Sequence, residues 1–183
     1  MALDSSKVRA AVTGAVSVGP TTATAPTGTS GTLTGFNDLG YVSDAGVTES
    51  RGRSTNEIRA WQGATLVRTM ITAGSLTYHF VLIETKLETV ELYYGTDVTQ
   101  VATDGNFLIL PTSTGGRQSF VLDVIDGAEL RRTYIPQGEV TEVGDLVYVG
   151  TDPIGYDVTV TAYPDSVLGA NAKVWATALK TPA

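Results

Sequence analysis

The sequence predicts a mainly β protein: a β-sandwich or rolled barrel of two packed sheets, with one flanking α-helix and long loops. Three observations carry this. Short apolar segments recur with period two, most cleanly in YDVTVTAY at 156–163. Turn signals such as Asp104-Gly105, Asp126-Gly127 and Gly144-Asp145 separate them, in a chain of 183 residues with 20 glycines. One stretch alone, after Thr85, changes to helical spacing. The length fits one domain over 1–183, with a flexible N-terminal segment and a loop near 19–35.

Residues 7–18 read as a first strand, with Val8, Val12, Val16 and Val18 supplying β-branched side chains. Residues 19–35, GPTTATAPTGTSGTLTG, hold too little apolar area to offset the entropy of ordering. They are either a surface loop or an arm that orders against a partner. Residues 36–47 bring apolar residues back, and the mixed charges of Glu49, Arg51, Arg53 and Glu57 read as a solvated face. Residues 58–72 form one long strand, or two bent at Gly63. Ala73-Gly74 reads as a tight connection into the next strand, making an antiparallel hairpin.

That next strand organises the chain. In SLTYHFVLI, Leu76, Tyr78, Phe80 and Leu82 share the more apolar face, and Ser75, Thr77, His79, Val81 and Ile83 share the other. Thr85 and Glu88 then have capping-box spacing. Leu87, Val90 and Tyr94 make a helical stripe, and Gly95 ends it where a left-handed residue is cheapest. So short a helix needs a sheet to lie on, and the preceding strand is the obvious one. Further on, 107–110 reads as a short buried strand, and 119–126 with 129–135 as a hairpin around Asp126-Gly127. Strands at 138–143, 146–149, 156–163 and 172–179 complete the set.

The net charge of −7 and pI near 4.6 disfavour nucleic-acid binding, since the lysines and arginines form no basic patch and are scattered apart from Arg51/Arg53 and Arg131/Arg132. The absence of cysteine excludes disulfides, thiolate catalysis and zinc–sulfur sites. The N-terminus lacks the apolar run of a secretory signal, and the apolar runs at 80–83 and 107–110 are too short to span a membrane. A protein kept in a cytoplasm, or carried out within an assembly, is expected.

Enzyme chemistry is poorly supported. His79 is the only histidine and sits mid-strand among threonines and valine, a structural or solvent-facing setting. No serine lies in a nucleophile elbow. The Gly-Thr-rich loop lacks the Lys-Ser/Thr end of a phosphate loop, and Asp97 and Asp104 lack the companions of a calcium loop. Trp61 and Trp175 read as core rather than as a sugar platform. No cofactor and no metal are expected.

Three segments, in order, carry a resemblance: MALDSSKVRAAVTGAV, GFNDLGYVSDAGVTESRGRSTNEIRAWQG and ETKLETVELYYG. Together they resemble the major tail protein, or tail tube subunit, of siphovirus-type bacteriophages that infect actinobacteria. The resemblance spans roughly the whole chain, is strongest over 36–95 and loosens after Arg117. It implies a structural virion protein, assembled in the host cytoplasm. It further implies that six-membered rings join their inner sheets edge to edge and stack into a hollow tube, through which viral DNA passes without specific binding. It also implies a tape-measure protein, a tail terminator and tail-tip proteins as partners, and no membrane insertion. Some such proteins carry a C-terminal immunoglobulin-like domain; this sequence stops at Ala183 without one, so either the phage lacks it or the sequence is truncated.

Under that resemblance the hairpin of 58–83 is expected to face the lumen with its less apolar side: Ser75, Thr77 and His79, with Asp123 and Glu129 as acidic candidates elsewhere. An acidic wall avoids trapping phosphates. The loop, through Pro20, Thr27 and Gly31, and the pair Arg51 and Arg53 are expected at inter-ring contacts. The alternatives are a tail terminator or connector ring, a carbohydrate-binding β-sandwich adhesin, and a glycoside hydrolase with two facing carboxylates.

Overall fold

The computed structural model describes residues 3–4, 7–100 and 103–180; parts of the expected N-terminal segment lie outside these. Among the described residues the protein is mainly β and antiparallel, with one α-helix. Its strands are β1 (Thr13–Pro20), β2 (Asn37–Asp38), β3 (Val42–Arg59), β4 (Leu66–Leu82), β5 (Thr99–Gln100), β6 (Gly105–Asn106), β7 (Gln118–Asp126), β8 (Glu129–Val143), β9 (Tyr156–Ala162) and β10 (Lys173–Ala176). The helix, α1, is Leu87–Tyr94.

Eight strands form one sheet in the order β2-β1-β7-β8-β9-β4-β3, with β10 also on β8; β5 and β6 pair apart. The sheet rolls about β8. The first half of β8 pairs with β7 and β10, and its second half, from Gly138, pairs with β9. Gly138 sits at this changeover because a Cβ there would meet the Phe120 ring at 2.6 Å. β2, at one edge, runs through residues 39–41 straight into β3, at the other.

The rolled halves enclose one core. Val16, Val18, Phe120, Leu122 and Ile135 come from β1, β7 and the first half of β8. Tyr78, Phe80, Leu82, Val140, Val158 and Val160 come from β4, β9 and the second half of β8. The strict alternation of burial along β9 matches its sequence pattern.

The helix closes one end of this core, and it packs against β9 and β8 rather than on the strand before it. Gly95 ends it in the left-handed region at φ 61°. The capping box does not form. Lys86 is the N-cap, and the Thr85 hydroxyl lies 3.2 Å from the Tyr156 hydroxyl instead. The buried residues are Thr89, Val90 and Leu92, so the stripe is rotated from the expected one. Thr89 donates to the Leu39 carbonyl at 3.0 Å and Lys86 to that of Asp38 at 2.6 Å. The helix thereby clasps the β2–β3 crossover.

Several element boundaries differ from the sequence reading. β4 runs unbroken through Ala73-Gly74, and its hairpin partner is β3. The turn falls at 60–65, where Gly63 (φ 69°) and Ala64 (φ 53°) adopt left-handed backbone. Residues 129–135 and 138–143 are one strand. Residues 107–110 and 146–149 are not strands, and Leu108, Ile109, Leu110, Val147, Tyr148 and Val149 are exposed. The last strand is shorter than 172–179 and ends in a 3₁₀ turn at Thr177–Leu179.

Candidate functional site

Three surfaces stand out, and each begins with a local property of the chain. The first is the outer face of β3-β4-β9-β8. The apolar residues of β4 and β9 point inward, so their alternates make the outer face. Register places Thr77 beside Ser50 and Thr161, and His79 beside Thr48 and Thr159. Glu139 and Glu142 follow on β8, opposite Thr161 and Thr159. Thr141 and Thr161 share a hydroxyl contact at 2.7 Å. His79 Nε2 lies 2.8 Å from Asp157 Oδ1, so the single histidine is a surface partner of a carboxylate. Ser75, Thr77 and His79 therefore lie along one hydroxyl-rich, acidic face.

The second surface is the far half of the β3–β4 hairpin. Every residue from 47 to 59 and from 61 to 75 is exposed. Both faces of this two-stranded ribbon meet solvent, although such ribbons are marginal alone. Arg51 and Arg53 lie on it, with Arg59 and Arg68 nearer the tip. Among the described residues, no salt bridge holds Arg51, Arg53 or Arg68, whereas Arg59 contacts Glu57 at 2.6 Å. Trp61, expected in the core, is 97% exposed at the tip. Its place in a turn, rather than in a strand, is the reason. Trp175 is half-buried on β10, with the Lys173 ammonium 4.9 Å from its ring centre. At the ribbon's base, burial first and then Glu49 push the Tyr78 phenol up to about 12.

The third surface is the Gly-Thr-rich loop and what it lies on. Arg132 is buried and grips Asp123 with two bonds of 2.7 Å. These bonds raise the guanidinium further above its ordinary range, against the opposing effect of burial. Its remaining nitrogen reaches the carbonyls of Gly28 and Gly31 at 3.5 and 3.4 Å. Phe36 stacks edge-on against Tyr134 at 6.4 Å. The loop is thus laid over β7 and β8 by contacts within the chain, while Pro20 and Thr27 stay exposed. Asp123 is committed to Arg132. Glu129 sits at the β7–β8 turn, with Arg9 at 3.4 Å and the Thr177 hydroxyl also on its carboxylate. Neither acid lies on the hydroxyl-rich face. Sequence reasoning missed Arg132, Asp157 and the threonines of β9; the alternation of YDVTVTAY was the one signal that could have found the last group.

No group of metal-ligating side chains occurs among the described residues. No helix among them is long and apolar enough to cross a membrane.

Comparison with known proteins places residues 1–179 within a family model described as phage tail tube protein. No curated protein matches the sequence. Among solved structures, the chain is similar to one from the sheath–tube complex of an extracellular contractile injection system, PVC, in its extended state. That match has 13% identity and a TM-score of 0.49, over 96% of this chain and 100% of that one.

Proposed function

This chain belongs to the phage tail tube protein family, a structural family and not an enzyme family, and from that membership we propose that its copies form six-membered rings stacked into a hollow tube for viral DNA. The tail belongs to a siphovirus-type phage of actinobacteria. The chain is one tube domain, assembled in the host cytoplasm and carried in the virion, with tape-measure, terminator and tail-tip proteins as partners.

The observation that carries this reading is the outer face of β3-β4-β9-β8. It supplies Ser75, Thr77, Thr159 and Thr161, with Asp157, Glu139 and Glu142 around a single histidine. Hydroxyls and carboxylates offer DNA phosphates no fixed cation to release counterions against, so a duplex slides past without holding. In this proposal that face lines the lumen. Asp123 and Glu129 are left out of the wall, because arginine partners already compensate their charge. β3 is the edge of its sheet and, among the described residues, pairs only with β4. Such an unpaired edge invites a neighbour's strand. Ring joining along β3 satisfies it, with Arg51, Arg53 and the loop at Pro20, Thr27 and Gly31 as further assembly contacts.

Negative-stain electron microscopy of the purified chain, across concentration and salt, tests the reading. Hollow tubes with a regular axial repeat are the expected result. Single rings would favour a terminator or connector, and persistent monomers that bind glycans would favour an adhesin.

A further inference from the structure

We propose that the Trp61 tip of the β3–β4 ribbon of one copy seats in an apolar, acid-rimmed groove of a second copy stacked on it; the inference rests on the tube reading. The groove lies between the last turn of α1, the segment 109–114 and the end of β8. Leu92, Tyr94, Ile109, Leu110 and Val143 line it, Glu142 stands at its rim, and its volume is about 300 Å³. Ile109, Leu110 and Val143 are exposed there, although all three are apolar.

Geometry shows that a copy does not fill its own groove. The ribbon tip joins β4 at Leu66. The groove lies towards the other end of the sheet, where β4 stops at Leu82 beside Tyr156 and where Val143 meets Val158. Sixteen residues of extended strand separate the two ends of β4, about 50 Å. A tip at one end and a socket at the other make a head-to-tail contact that propagates instead of closing.

Charge selects the same pairing. Residues 50–75 hold four arginines (Arg51, Arg53, Arg59 and Arg68) and one carboxylate, Glu57, in a chain of net charge −7. The ribbon is the basic part of an acidic molecule. Arg59 and Arg68 flank the tip. The groove answers them with Glu142, with Asp145 close enough to raise the Tyr93 phenol after burial, and with the carbonyl end of α1, whose last turn has no basic residue. A tryptophan inserted among apolar walls and ringed by opposite charge has the form of an interface anchor.

The cysteine-free chain allows a direct test. Gln62→Cys and Thr112→Cys, both at exposed positions, are made in separate chains, mixed and mildly oxidised, with electron microscopy alongside. A disulfide joining the two variants supports the contact whether or not tubes are seen. Tubes without that mixed disulfide, including tubes whose disulfides join only identical variants, overturn it while leaving the tube reading standing. Absence of both tubes and mixed disulfide overturns both. Trp61→Ala is expected to raise the critical concentration for assembly by about 30-fold or more. Assembly at the parent's concentration would also overturn the inference.

Discussion

Arg132→Ala separates a loop held by its own chain from one that merely rests on it. Arg132 is 7% exposed and holds Asp123 through two 2.7 Å bonds. Removing it strands a carboxylate whose side chain is 23% exposed. Breaking a fully buried pair by removing one partner costs roughly 3–5 kcal/mol. Partial access of water to Asp123 reduces this to about 2–3 kcal/mol. The contacts to Gly28 and Gly31, at 3.4–3.5 Å, add little to that sum but hold the loop in place. With a urea m-value near 2 kcal/mol/M, the unfolding midpoint should fall by about 1 M or slightly more. Limited proteolysis should show faster cleavage within 20–35. The double variant Arg132→Met with Asp123→Leu should recover most of the loss, because an apolar pair does not strand a charge. A loss under about 1 kcal/mol in the single variant, with unchanged cleavage, would refute the reasoning. The same pairing means that reversing Asp123 to Lys should weaken the fold as well.

Other outcomes follow from the same geometry. Gly138→Ala should cost about 1–3 kcal/mol in chemical denaturation, since its Cβ would meet the Phe120 ring at 2.6 Å and Val160 at 3.0 Å. Trp61→Ala should leave monomer stability within about 0.5 kcal/mol, because the indole is 97% exposed. Stability should fall as pH rises from the ordinary tyrosine value of 10 towards 12: the folded state holds the Tyr78 proton more tightly, so its contribution is whole below 10 and lost across that window. Tyr78→Phe should flatten that part of the curve, measured by urea midpoints at stepped pH. Glu88→Gln should change thermal stability by only a few tenths of a kcal/mol, because no capping box forms.

Period and turn chemistry made much of this fold legible in the sequence. The β class, the face division of β4 and β9, the Asp126-Gly127 turn and the helix ended by Gly95 all follow from side-chain spacing or from backbone that only certain residues adopt cheaply. Composition also carried the acidic balance. Local pattern does not report what lies opposite. Ala73-Gly74 resembles a turn, yet it continues a strand because the left-handed backbone falls at Gly63 and Ala64. Thr85 has the spacing of a cap, yet its hydroxyl meets Tyr156, 71 residues away. Leu108, Ile109 and Leu110 and the ring of Trp61 resemble core, yet they are exposed, and of the 107–110 run only Phe107 packs against the core. The polar loop at 19–35 acquires its place from an arginine 101 to 104 residues distant. Spacing along the chain sets which residues share a face; only the rolled sheet decides which faces meet, because those contacts join residues that no local window contains together.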